Sequence, residues 1–182
     1  MILGLDISTS CTGWCILSKD GNFIDIGFIH FSNKLTPFKK ADVFSDHMKE
    51  IYSKYKISEI FVEENLQRFR PGFSSAKTLI TLARFNGIVS YISYKIFDIE
   101  PSYINVNDAR RSLNIKILKE KICGKTTKDQ VMEWVKPQLV GYYTWPIKKL
   151  KSGPRKGMTI LHPGCYDAAD AFVIARAGIV NT

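Results

Sequence analysis

The sequence predicts an α/β domain on a mixed five-stranded sheet, an antiparallel meander followed by parallel strands, with helices on both faces. Three observations predict it. Short apolar segments open the chain and are joined by turn signals. After them, helical and strand periodicities alternate, as they do when helices cross over between parallel strands. The length of 182 residues suits one hydrophobic core, so a single domain over residues 1–182 is expected.

The apolar run Ile2–Asp6 reads as a buried strand, and Gly13–Leu17 as a second. Asp20-Gly21, within Lys19–Asn22, is a hairpin signal, and Phe23–Phe31 completes the meander. Thr36 suits an N-cap and Pro37 the first helical position, so a helix begins there. It runs to about Lys54 with Ala41, Phe44, Met48, Ile51 and Tyr52 on one face. Ile60–Val62 is short and wholly apolar, the pattern of a central strand. A loop over residues 65–72 leads to a long helix capped by Ser74 or Ser75 and ending at Phe97. Its apolar face carries Leu79, Leu82, Phe85, Val89, Ile92 and Ile96 at helical spacing. Tyr103–Val106 is the fifth strand, and Asp108 begins a short helix. Lys116–Lys125 is basic and irregular. Thr126 or Thr127 caps a helix that reaches Val135, ahead of Pro137. Gln138–Pro163 reads as a loop or β-excursion, and Tyr166–Ala177 as the closing helix. This order sets the first and fourth strands side by side.

The net charge is +9, and it is concentrated. From Ile104 to Gly157, thirteen Lys/Arg face four Asp/Glu, and the remainder of the chain is neutral. A surface charged for solubility alone would spread its cations, so the block is the footprint of a polyanion, with nucleic acid foremost. A membrane partner is disfavoured: no basic amphipathic helix carries aromatic anchors, and no apolar run reaches spanning length. The four cysteines, Cys11, Cys15, Cys123 and Cys165, lack the spacing of a disulfide framework or zinc site. With no charged leader before the first strand, a cytoplasmic, reducing setting in a bacterial or phage-infected cell is expected.

Against this basic background stand carboxylates at the ends of apolar elements: Asp6, Glu63, Glu64, Asp167 and Asp170. Burial there costs several kcal/mol per charge unless something neutralises it. Asp167 and Asp170, three apart, share one helix face, although acids in a first turn also suit the helix dipole. Adjacent strand residues point to opposite faces, so one of Glu63 and Glu64 faces the others, and Glu63 is the stronger candidate. Gathered together, such hard oxygen donors suit two Mg²⁺ or Mn²⁺ ions and in-line hydrolysis of a phosphodiester. No Ser/His/Asp triad is present. His162, five residues before Asp167, reads most simply as a loop histidine.

At these residues the chain resembles the RuvC family of Holliday junction resolvases, within the RNase H-like (retroviral integrase) superfamily. Ile2-Leu-Gly-Leu-Asp6-Ile-Ser-Thr-Ser-Cys-Thr-Gly13-Trp resembles the family's first-strand signature, Phe61-Val-Glu63-Glu64 its second acidic motif, and Asp167-Ala-Ala-Asp170 its closing helix. The resemblance covers most of the chain and implies an RNase H-like fold. It also implies a metal-dependent endodeoxyribonuclease that resolves four-way DNA junctions by paired symmetric nicks. It places two metal ions on Asp6, Glu63, Asp167 and Asp170. Asp108-Ala-Arg110-Arg111 and Thr127-Lys128-Asp-Gln-Val131 resemble segments near the scissile phosphate, which puts Arg110, Arg111 and Lys128 there, Lys128 as a catalytic residue. The family is homodimeric, and the long helix would supply the two-fold interface. Its Ala83, Gly87 and Ser90 permit close approach, although packing on its own sheet explains that stripe equally well.

The chain departs from the bacterial pattern. Leu66 stands where bacterial members place an aromatic, and Phe69 and Phe73 follow later as candidate wedges at the junction centre. Ile115–Gly124 and Tyr142–Pro163 look inserted, as in divergent phage, viral or organellar members. Lys116, Lys119, Lys121, Lys125 and Lys128 would line one rim for phosphate, and Lys148, Lys149, Lys151, Arg155 and Lys156 the other. The rival readings are a nuclease of the same superfamily acting on forks, flaps or RNA–DNA hybrids, a non-catalytic binding module, and an actin-like or sugar-kinase ATPase domain. The last needs a second domain for which 182 residues leave no room.

Overall fold

The computed structural model describes residues 1–64 and 76–181. Its strands are β1 (Ile2–Ile7), β2 (Cys11–Leu17), β3 (Phe23–His30), β4 (Glu59–Glu63) and β5 (Ser102–Ile104), with a separate hairpin of β6 (Ile147–Lys149) and β7 (Thr159–Leu161). Its helices are α1 (Pro37–Lys54), α2 (Ala76–Phe97), α3 (Val106–Ser112), the single turn α4 (Glu120–Cys123), α5 (Thr127–Val135) and α6 (Gly164–Asn181), with a 3-10 turn at Lys136–Leu139. The main sheet runs β3-β2-β1-β4-β5. β1–β2 and β2–β3 are antiparallel, and β1–β4 and β4–β5 are parallel. This is the mixed five-stranded sheet that the element order predicts.

The period-2 alternation of the strands sorts their side chains into two cores. Leu3, Leu5, Ile7, Trp14, Ile16, Ile60 and Val62 pack with Phe44, Met48, Phe85 and Val89 of α1 and α2. Ile2, Cys15, Leu17 and Phe61 pack on the opposite face with α5 and the apolar side of α6. Each fully buried aliphatic or aromatic side chain contributes about 1.5–3 kcal/mol of transfer free energy. The same alternation puts Gly4, Asp6, Gly13 and Glu63 on the α6 face.

Glycine lets α6 sit low on that face. A Cβ on Gly4 would overlap the backbone of Ala171 and Ala175, and one on Gly13 would overlap the Asp167 carbonyl. Gly13 is also the register partner of Asp6 on the neighbouring strand. One glycine therefore brings the first turn of α6 down beside the end of β1.

Several sequence expectations are corrected. Asn105 leaves the fifth strand early because its side chain accepts from the Asn107 amide and caps α3, which begins at Val106 rather than Asp108. The basic segment 116–125 contains the turn α4, and α6 runs from Gly164 to Asn181, longer than the Tyr166–Ala177 expected. On α1 the residue buried with Ala41, Phe44, Met48 and Ile51 is Lys40, whereas Tyr52 is exposed. The Lys40 ammonium donates to the Thr9 carbonyl at 2.6 Å, which offsets its burial. The stripe Ala83, Gly87 and Ser90 does not act as one surface: Ser90 is buried, while Ala83 and Gly87 are exposed. The loop 65–72, the Ser74 or Ser75 cap, Phe69 and Phe73 lie outside the described residues.

Candidate active site

Three segments converge on one open cleft of about 950 Å³. Asp6 comes from β1, Glu63 from the end of β4, and Asp167 and Asp170 from the first turns of α6. Parallel pairing runs through Leu5 with Val62, so Asp6 and Glu63 follow at neighbouring strand positions. Ser8, Ser10, Glu64, Arg110, Thr127, Lys128 and Tyr166 also line the cleft.

Glu64 corrects the expectation that only one of the two glutamates faces the site. Strand alternation stops at Glu63, the last residue of β4. Glu64 keeps one backbone bond to Ile104 while Asn105 Nδ2 donates to its carboxylate at 3.4 Å. Both acids therefore line the cleft.

The electrostatics are those of too much negative charge in too little water. Burial pushes the Asp6 carboxyl well above the usual range, and repulsion by Glu63, Asp170 and Asp167 adds to it. Burial and the charge of Asp170 push Glu63 up to about 7. Asp170 is raised by burial, against which Arg110 and Lys128 pull. Two cations answer the cluster. Lys128 Nζ donates to Asp167 Oδ1 at 2.9 Å, and Arg110 lies 3.6 Å from Asp170 Oδ1. Among the described residues, two cations against the five acids that line the cleft leave the site under-compensated, and Asp170 Oδ1 is buried with no hydrogen-bond partner there.

Local chemistry places the cations. Thr126 and Asp129 form a reciprocal capping box at the start of α5, and Tyr166 Oη donates to Asp129 Oδ1 at 3.1 Å. The start of α5 is thus tied to the first turn of α6, and Lys128 lands on Asp167. Arg110 follows from the Asn105 cap of α3, whose buried Ala109 packs in the core shared with α6.

The donor set fits a hard divalent cation. It is all carboxylate oxygen, it carries charge that the described residues do not neutralise, and it includes a buried oxygen without a hydrogen bond among them. Among the described residues, no three His, Cys, Asp or Glu side chains are gathered tightly enough to close around one ion unaided. Two of the acids are held by Lys128 and Arg110 instead.

The remaining sequence candidates fall into distinct places. Arg111 is exposed and paired with Asp108 at 3.2 Å. Lys116, Lys119 and Lys121 are exposed on the segment leading to α5, where Lys125 pairs with Glu133 at 2.7 Å. Lys148, Lys149, Lys151, Arg155 and Lys156 are exposed on the β6–β7 hairpin, the second of the two alternatives, loop or β-excursion, that the sequence left open there. His162 is not part of the cleft: its ring stacks on Phe28 at 4.7 Å, and its Nδ1 accepts from the Gly164 amide. The four cysteines are free. Sequence reasoning missed Ser8, Ser10 and Tyr166 as cleft residues. Only their proximity to Asp6 and Asp167 along the chain signalled them.

No family model matches the chain. It is 28% identical over 178 residues to the crossover junction endodeoxyribonuclease RuvC of Wolbachia sp. subsp. Brugia malayi (strain TRS), covering 96% of this chain and 90% of the relative. The same enzyme of Wolbachia pipientis wMel is 27% identical with the same coverage. Among solved structures, the fold is similar to T. thermophilus RuvC in complex with Holliday junction substrate, with a TM-score of 0.65 and 14% identity over 98% of this chain and 92% of that one. It is also similar to the yeast mitochondrial Holliday junction resolvase Ydc2, with a TM-score of 0.59 and 15% identity over 98% of this chain and 77% of that one. The fold is RNase H-like.

Proposed function

We propose that this chain, which is similar to RuvC and in fold to solved Holliday junction resolvases, is a structure-selective endonuclease that resolves four-way DNA junctions by paired, symmetric nicks. The observation that carries the reading is the meeting of Asp6, Glu63, Asp167 and Asp170 in one cleft edged by Lys128 and Arg110. In this reading Asp6, Glu63, Asp167 and Asp170 would hold two Mg²⁺ or Mn²⁺ ions, which would supply water activation and charge stabilisation at the leaving 3′ oxygen.

The chain's own groups then have separate tasks. Lys128 and Arg110 face the scissile phosphate and its neighbour and offset their charge. The lysines of 116–125 form one rim, and the β6–β7 hairpin forms the other. Their contacts with phosphate position the arms without reading sequence. Phe69 and Phe73 remain candidate wedges for the junction centre. The exposed side of α2, with Ile80, Gly87, Tyr91 and Tyr94, is the proposed two-fold interface, supported by large apolar side chains left open to solvent. Two copies would present two clefts to the two strands of a symmetric junction. A reducing cell interior suits the four free thiols. Among the described residues, no helix is long and apolar enough to cross a membrane.

The test is cleavage with Mg²⁺ of a mobile four-way junction beside a fork, a duplex and an RNA–DNA hybrid, by wild type and Asp6→Asn. Paired nicks in the junction are expected, reduced at least ~10³-fold in the variant while junction binding persists. Cleavage confined to forks or hybrids, or undiminished in Asp6→Asn, overturns the reading.

A further inference from the structure

A second pocket opens beside the acidic cleft and shares Arg110 and Thr127 with it. Its volume is about 480 Å³. Ile115 and Ile117 form an apolar floor, and Asn107, Asn114, Arg111 and Lys116 stand around it. No acid lines it. The side-chain amides of Asn107 and Asn114 have no hydrogen-bond partner among the described residues, and Lys116 has no ion-pair partner there.

Helix termination accounts for only part of this. Asn114 follows the C-cap of α3 with φ at 55°, and asparagine is one of the few residues that tolerates that left-handed conformation. That requirement concerns the backbone. It does not account for a second exposed amide, Asn107, and the cations Arg111 and Lys116 around the same pocket.

We propose that this pocket seats one nucleotide of the DNA strand next to the scissile phosphate, and that Asn107 and Asn114 read its base. The inference rests on the nuclease reading given above and adds to it a source of sequence preference. Each feature of the pocket matches a part of a nucleotide. The isoleucine floor takes the face of an unstacked base, as apolar side chains do for extruded nucleotides. Arg111 and Lys116 take the adjoining phosphate. A carboxamide presents one donor and one acceptor, which complement the N6/N7 edge of adenine, so adenine is the expected base. Continuity through Arg110 and Thr127 sets the nucleotide one step from the acids. A strand unpaired at a branch point can enter without first breaking a duplex.

Two measurements test this. Photoreactive nucleotides are placed singly at positions flanking the cut in a junction bound to Asp6→Asn protein, and the crosslinked peptides are mapped. Rates of cleavage are then measured for wild type, Asn107→Ala and Asn114→Gly on junctions carrying each base at those positions. Glycine keeps the left-handed backbone and removes only the amide, and thermal melts of both variants report the fold. Crosslinks within residues 107–117 are expected, with a base preference of about tenfold or more in wild type that collapses toward unity in the variants. Crosslinks elsewhere, a wild type indifferent to sequence, or variants with unchanged preference overturn the proposal. If forks or hybrids are cut and junctions are not, the junction reading fails, and the same crosslinks on the substrate that is cut still decide the pocket. Protein that binds no branched DNA overturns both.

Discussion

Glu63 shows how a single side chain couples stability to chemistry. Its carboxyl is pushed up to about 7 from an ordinary 4.5, first by burial and then by Asp170. A raised acid pKa means that the folded chain holds the proton more tightly than the unfolded chain. Its stability is therefore greatest below the unfolded value and falls as pH rises through about 4.5 to 7. Metal-free Glu63→Gln protein is expected to match wild type near pH 4.5 and to exceed its stability at pH 7.5 by on the order of 1–3 kcal/mol. Denaturant unfolding across that range checks it, and the difference should shrink when Mg²⁺ is added. Equal stabilities at every pH would mean that the cleft is not under charge strain. Lys128→Ala removes the partner of Asp167, and a loss of turnover of at least about tenfold is expected with little change in junction affinity. Single-turnover rates beside binding isotherms separate the two.

At the scale of elements, the site depends on how close α6 comes to the sheet. Gly13 permits that approach, and a methyl group there would meet the backbone of Asp167, which has no rotamer with which to yield. Gly13→Ala is expected to destabilise the fold by roughly 1–3 kcal/mol and to lower cleavage more than Gly87→Ala. Gly87 faces open space, so its substitution controls for the loss of glycine. The β6–β7 hairpin makes a different prediction. Its five cations are exposed and lack acidic partners among the described residues. Replacing Lys148, Lys149, Lys151, Arg155 and Lys156 with serine should reduce the slope of log affinity against log salt by about one for each that meets a phosphate. An unchanged slope would remove the hairpin from the DNA-binding surface.

At the scale of the whole molecule, the charge asymmetry and the open side of α2 belong together. The acids open into a cleft edged by Lys128 and Arg110, which α2 reaches through Leu82, while Ile80, Tyr91 and Tyr94 of α2 stay open to solvent. If the proposed two-fold interface forms, Tyr91→Asp is expected to shift dimer to monomer in sedimentation velocity, since a charge in an apolar interface costs several kcal/mol. Wild type that sediments as a monomer at the concentrations of cleavage would remove this interface.

Much of this was legible in the chain itself. Strand and helix periods, the Thr36-Pro37 and Thr126 caps, the Asp20-Gly21 turn and the identities of the four acids are set by neighbours along the sequence, and local periodicity encodes such features directly. The meeting of those acids could be inferred from element order, because a parallel β1–β4 pair is the simplest product of that order. Only the tertiary structure decided the rest. The Lys128–Asp167 pair joins residues 39 apart and exists because Tyr166 ties α5 to α6. Glu64 reaches the cleft because its strand ends one residue earlier, and Asn107 and Asn114 share a pocket because α3 stops where it does. Local propensity chooses an element. Which side chains of distant elements touch is decided by the packing of every element between them, and no stretch of sequence carries that alone.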